Sequence, residues 1–224
     1  MPARAPVLHN PRVGTRPAPP LSYNQPMSTY LSSAELDQKE PSFGVHPLKF
    51  LLWLMIISSS MSFAAYTSGY IVRKGEGNWL EFALPARLYV SSLVIILSSC
   101  TMQGALIAAR RDNIKLTQLL IGLTLLLGGV FLASQWQAWG ELVASKIYFA
   151  GETANPAGSF LYVLTGFHAF HLFCALVFLT TVLRMALQYK VHSKAILWVE
   201  LCTIFWHFLG GLWLYLHLFL LLNR

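Results

Sequence analysis

The chain has 224 residues, of which 55% are apolar and 13% aromatic while only 11% are charged, and its mean hydropathy is +0.54. A soluble domain of this length cannot hide that much apolar surface, so the composition points to a polytopic membrane protein. The formal charge of +7 does not imply a nucleic-acid partner, because the basic residues are scattered over loops and the N-terminal tail instead of gathering on one face.

Residues 1–46 differ from the rest. Seven prolines fall in the first 26 residues beside Arg4, Arg12 and Arg16, and no acid precedes Glu35. Such a stretch cannot bury enough surface to offset the entropy of ordering it, so it is read as an extended, cytoplasmic, Pro-rich tail. It lacks the apolar core of a signal peptide. Met27 opens a second plausible start, which raises the hypothesis that residues 1–26 are a non-native leader or an over-long gene model. N-terminal sequencing that finds Met1 or Pro2 in the purified protein contradicts that reading.

Residues 47–224 read as a membrane domain of five apolar segments, at about 46–72, 84–109, 116–142, 157–187 and 194–222. Each meets the requirement of about 20 residues for crossing the hydrocarbon core. The fourth and fifth are longer, so they should tilt or project beyond the bilayer. Breaks between them carry loop punctuation: "RKGEGN" (73–78), "RRDNIK" (110–115), "GETANP" (151–156) and "YKVHSK" (189–194). Backbone groups in lipid must pair within the segment, so the expected fold class is all-α, a five-transmembrane-helix bundle.

Positive charge sets the orientation. One side holds Lys39, Lys49, Arg110, Arg111, Lys115, Arg184, Lys190 and Lys194, and the other holds Arg73, Lys74, Arg87, Lys146 and Arg224. The richer side is expected in the cytoplasm, with the N-terminus inside and the C-terminus outside.

Polar residues inside a bilayer are costly and usually face protein or a functional path. In the fifth segment Glu200, Thr203, His207, Gly210, Leu214 and His217 follow at spacings of three and four, a single stripe that should face neighbouring helices. In the fourth, Leu164, His168, His171 and Ala175 share a face in the same way. Small residues at 57–70, 97–105 and 126–134 fit close helix contact, and nothing in them suggests chemistry. Cys100, Cys174 and Cys202 fit neither a disulfide framework nor a zinc site, so they read as small core residues.

Two histidines at i and i+3 could share a metal, but a site needs further ligands and groups that orient them. No Asp, Glu or Cys stands near His168 and His171 in sequence. A bis-histidine haem would pair them with His207 or His217, and the spacings of 3 and 10 do not repeat between the two helices as two stacked haems require. The alternative is hydrogen bonding within the bundle, or contact with lipid headgroups. No phosphate loop, activated nucleophile or paired intramembrane acid is evident, so catalysis by this chain alone is not expected. Glu200, near one end of its span, is expected to pair with Arg184 at the end of the preceding helix.

Residues 48–222 resemble subunit III of the haem–copper oxidases, the cytochrome c oxidase family. "SFLYVLTGFHAFHLF" (159–173) is similar to the family's Tyr-x-Leu-Thr-Gly-x-His-x-x-His stretch, and "VELCTIFWHFLGGLWLYLHLFL" (199–220) to its Val-Glu-Leu…Trp-His-Phe…Trp-Leu segment. Residues 84–106 and 123–142 match more loosely. The resemblance implies the short five-helix form of a subunit in a terminal oxidase that reduces O2 to water and pumps protons, with cytochrome c the favoured donor. It implies no cofactor or metal in this chain, with haem and copper in partner subunits. Implied partners are catalytic subunit I as the main contact, subunit II, small subunits, phospholipids and a larger respiratory supercomplex. The implied role is to stabilise subunit I, hold lipids and support proton uptake. His168, His171, Arg184, Glu200, Trp206, His207 and His217 are then candidates for bundle-internal or lipid contacts.

Two departures bear on that role. Where the family often has Ser-Glu-x-Met, this chain reads Ser58-Ser59-Ser60-Met61, so Ser59 replaces a buried acid. Its Trp-His-Phe-Val-Asp motif becomes Trp206-His207-Phe208-Leu209-Gly210, which loses a second. Both push the reading away from a proton antenna and toward a structural, lipid-organising subunit. The alternatives are a haem b membrane anchor of a quinone-linked dehydrogenase and subunit III of a quinol oxidase. A small transporter is disfavoured because inverted repeats and broken helix pairs are not evident.

Overall fold

The computed structural model describes residues 46–77, 79, 87–151, 154–188 and 196–223. The tail expected over residues 1–46 lies outside these apart from His46. The described residues belong to one compact unit of five long helices, with no strand among them. These are α1 (Pro47–Gly75), α2 (Arg87–Arg110), α3 (Ile114–Ala144), α4 (Pro156–Leu187) and α5 (Ile196–Leu222). All five are long and apolar enough to cross a membrane. The chain is therefore a multi-pass, all-helical membrane protein.

Local chemistry sets several of the helix ends. His46 Nδ1 accepts from Leu48 N, and Pro47 occupies the first helical turn, where its missing N–H costs nothing. Asn113 caps α3 by accepting from Leu116 N at 3.2 Å, and Asn155 caps α4 by accepting from Ala157 N at 3.0 Å ahead of Pro156. Arg73 and Lys74, Arg110, and Arg184 stand in the last turns of α1, α2 and α4, where cations offset the negative helix end. The α2–α3 turn is tight: Asp112 takes φ 53°, and Asn113 N donates to Ala108 O at 3.1 Å.

Contacts at the two ends show that the helices alternate in direction. At one end the starts of α1 and α5 meet the end of α2 through Lys49, Glu200 and Arg110, and Gln118 at the start of α3 donates to Ala186 O at the end of α4. At the other, Arg87 at the start of α2 pairs with Glu141 near the end of α3, while Tyr70 and Lys74 of α1 donate to Asn223 O beyond α5.

Helices α2, α3, α4 and α5 form a ring in which each touches the next and α5 closes back on α2, while α1 packs outside on α4 and α5. Half of the most apolar window of α5 is buried against 17% of that of α1, so α5 is the central element and α1 the peripheral one. The ring encloses Ile95, Met102, Phe131, Leu172, Trp206 and Trp213. A second cluster under α1 joins Phe63 and Tyr70 to Leu164, Leu216 and Phe219. Gly128 lets α3 approach closely: a Cβ there would lie 2.7 Å from both Leu176 and Trp206. The outside of α3 and α4 is lined by Leu119, Leu126, Phe170, Phe173 and Val177, each more than half exposed, which suits a helix facing lipid tails.

The cysteine expectation holds for one of three. Cys202 is buried, but Cys100 and Cys174 sit on the outer surface. An apolar thiol is as stable against lipid as against a protein core, so its residue type does not tell the two apart.

Candidate functional site

The stretch Thr165–His171 lies in the middle of α4, and its polar residues point in different directions. Thr165 Oγ1 accepts from Trp139 Nε1 of α3 at 3.1 Å and donates to Leu161 O at 2.7 Å. His168 is fully buried in an aromatic box of Phe63, Phe131 and Trp213, with ring centroids 6.5, 6.0 and 5.2 Å away. Neither of its ring nitrogens has a hydrogen-bond partner among the described residues. His171 is half-buried and turns toward α1, where its Nε2 lies 3.3 Å from Ser59 Oγ. Its Nδ1 lies 2.8 Å from Phe167 O. A carbonyl can only accept, so Nδ1 carries a proton; in the neutral imidazole Nε2 is then the acceptor and the Ser59 hydroxyl donates to it.

The α5 residues are similarly separated. His217 is buried near the far end, 5.0 Å from the Tyr89 ring and 6.5 Å from Trp213 by centroids, and both its ring nitrogens lack a partner among the described residues. His207 is half-buried on the outer side facing α2, and its Nε2–H donates to Gln103 Oε1 at 3.1 Å. Thr203 is buried and donates to Val199 O. Leu214, expected inside the bundle, is 39% exposed, because a groove opens between α2 and α5 at its level. The four histidines therefore occupy separate environments. No group of three or more His, Cys, Asp or Glu side chains placed to hold a metal occurs among the described residues.

Two tryptophans are locked to α2 by serines. Trp206 Nε1 donates to Ser98 Oγ and Trp213 Nε1 to Ser92 Oγ, each at 3.1 Å, while Gln135 Nε2 of α3 donates to Ser91 Oγ at 3.0 Å. Of these serines only Ser98 lies in a stretch read from sequence as small contact residues; all three are hydrogen-bond acceptors for buried rings and an amide. Trp213 stood out in the sequence only as part of the Trp-Leu resemblance, and the role of Gln135 carried no signal of its own.

Glu200 is paired, but not with Arg184. Its Oε2 accepts from Lys49 Nζ at 2.7 Å and its Oε1 from an Arg110 guanidinium nitrogen at 3.0 Å. One carboxylate thus ties α1 and α2 to α5. Arg184 ends α4, whose last turn lies against the start of α3 through Gln118 and Ala186. Lys49 and Arg110 stood out in the sequence only as charges flanking the membrane.

A family model described as cytochrome c oxidase subunit III matches residues 80–223, which takes in α2 to α5 and leaves α1 ahead of it. The chain is 29% identical over 157 residues to cytochrome c oxidase subunit 3 of Corynebacterium diphtheriae, covering 68% of this chain and 74% of that protein. It is 29% identical over 170 residues to the protein of the same name from Synechocystis, covering 72% and 69%. It is also similar to cytochrome bo(3) ubiquinol oxidase subunit 3 of Buchnera aphidicola, at 24% identity over 179 residues, covering 78% and 93%. By its helices and by this match across most of its length, the chain belongs to the cytochrome c oxidase subunit III family.

Proposed function

We propose that this chain is a non-catalytic subunit of a respiratory haem–copper oxidase, with catalytic subunit I as its main contact, subunit II beside it, and phospholipids at its surface. The haem and copper belong to the partner subunits, and the short five-helix bundle supports subunit I and organises lipid around it. Family membership makes it part of a multi-subunit oxidase complex. The observation that carries the non-catalytic reading is how its intramembrane polar groups are used. Ser59–His171, His207–Gln103, Trp206–Ser98, Trp213–Ser92 and the Glu200 cluster each join one helix to another. The four histidines do not converge, which weighs against the haem b anchor.

The basic flank at the Lys49–Arg110 end supports a cytoplasmic N-terminus and a periplasmic C-terminus in a bacterial inner membrane, with residues 1–46 as a cytoplasmic tail ahead of a membrane domain at 47–224. A cytochrome c donor is favoured by most of the named relatives, and the match to a ubiquinol oxidase subunit keeps a quinol donor as the second reading. A gentle-detergent pull-down through this chain, with haem and copper assays and mass spectrometry of the co-purifying proteins, tests the reading. Recovery of a large subunit carrying haem and copper supports it. A stoichiometric haem b spectrum in the isolated chain overturns it.

A further inference from the structure

Three side chains inside the bundle hold polar atoms that no described residue satisfies: both ring nitrogens of His168, both of His217, and Gln135 Oε1. All three residues are buried, at 0%, 8% and 2% exposed. Leaving such an atom unpaired is costly, and ordered water is the usual partner where two or more polar groups can hold it. That condition separates the three. The His168 ring is boxed by Phe63, Phe131 and Trp213, and the one polar hydrogen of that box, on Trp213, is spent on Ser92.

Gln135 and His217 instead flank a polar cluster. Ser91 and Ser92 of α2 donate to the same carbonyl, Leu88 O, at 3.0 and 2.9 Å, so their hydroxyls stand side by side. Ser91 Oγ accepts from Gln135 Nε2 of α3 at 3.0 Å, and Ser92 Oγ from Trp213 Nε1 of α5 at 3.1 Å. A run of hydrogen bonds thus crosses α2 from α3 to α5. Its ends are unfinished. One is Gln135 Oε1, and the other is His217, whose ring stacks on Trp213 at 21° with centroids 6.5 Å apart. Each serine oxygen accepts one of these bonds and keeps a second lone pair.

The unmet hydrogen bonds select the ligand. An amide oxygen can only accept, whereas a neutral imidazole needs a donor at one nitrogen and an acceptor at the other. A cation would serve the amide oxygen and oppose the imidazole N–H, and an anion would do the reverse. Water serves both. At 1.5 Å per residue, Gln135 lies about 14 Å inside the end of α3 and His217 about 8 Å inside the end of α5, where an unpaired charge is expensive.

We propose that the bundle holds ordered water between Gln135 Oε1 and the His217 ring, with Ser91 and Ser92 as further anchors. This water braces α3 to α5, two helices that no direct side-chain hydrogen bond joins among the described residues. The site is built by this chain alone and does not rest on the oxidase reading.

Cryo-electron microscopy of the purified complex tests it, at a resolution that shows buried water elsewhere in the map. Water density should lie within hydrogen-bonding distance of Gln135 Oε1 and of a His217 ring nitrogen, with none beside the His168 ring. In water-edited solid-state 15N spectra of histidine-labelled protein in membranes, magnetisation from water should reach His217 several-fold faster than His168. Gln135→Leu should slow the transfer to His217 several-fold and leave that to His168 unchanged. Density at neither group, or at one of them only, overturns the proposal, as does a direct bond from either to another protein group. Equal transfer to the two histidines, or a His217 transfer unaltered by Gln135→Leu, also overturns it. The unsubstituted protein supplies the map and the comparison of histidines, so both stay decisive if the Gln135→Leu chain fails to fold.

Discussion

Ser59 of α1 donates its hydroxyl across the helix interface to Nε2 of His171 on α4, at 3.3 Å, while the other ring nitrogen of His171 is held by Phe167 O at 2.8 Å. Ser59 thus ties α1 to α4 through a side-chain hydrogen bond. It helps fasten the peripheral helix, which has few other polar ties to α4. The geometry fixes the tautomer: solid-state 15N spectra of His171 should show one proton, on Nδ1. A proton on Nε2 instead would contradict the assignment.

Removing either partner should loosen α1. A double-mutant cycle of Ser59→Ala and His171→Phe should give a coupling of about 0.5–1.5 kcal/mol, the usual net worth of one such bond, read from unfolding in mixed detergent. Strictly additive losses would mean that the two side chains do not support each other.

His168 should behave differently from His171. It sits among three rings with no hydrogen-bond partner among the described residues, so His168→Phe removes no such bond and keeps the box apolar. The expected cost is under about 1 kcal/mol, with oxidase assembly and turnover retained. Loss of assembly in that variant would point to a ligand or water on the ring.

Glu200→Gln should weaken the bundle more than either Lys49→Met or Arg110→Met, because one carboxylate serves two cations from two helices. Its side chain is 21% exposed and both cations are more open, so each pair alone is worth no more than about 1 kcal/mol. Thermal denaturation of the purified complex gives the ranking, and a Glu200→Gln midpoint equal to wild type contradicts the tie.

Adjacent glycines on α3 should respond in opposite ways. Gly128→Ala forces a Cβ against Trp206 and Leu176 and should cost about 1–3 kcal/mol. Gly129→Ala meets nothing within 4 Å and should be neutral or mildly stabilising through helix propensity. Equal thermal shifts for the two variants would contradict the close packing of Leu176 and Trp206 on Gly128.

The five helices were legible in the sequence because a bilayer leaves an apolar run of this length little choice but to be a helix. So was the sharing of a face by His168 and His171, within limits. Three residues turn a helix by about 300°, which leaves the two rings about 60° apart, enough for one to enter the ring core and the other to reach α1. The partners of Glu200 were not legible. They depend on α1 and α2 both flanking α5, a tertiary arrangement that brings Lys49 together with a residue 151 positions away. Gln103 was missed for the same reason, since its meaning arises only where α2 lies beside His207. Whether Cys100 and Leu214 face inward could not be read from periodicity, because lipid and core accept the same side chains.

Above all, this chain is held to support an oxidase without carrying its redox centres. That is tested most directly by haem and copper content per large subunit, in oxidase purified with this chain and from a strain lacking it. Haem and copper should be unchanged in both preparations, with the one lacking this chain less stable. Loss of a stoichiometric haem or copper together with this chain would contradict the assignment.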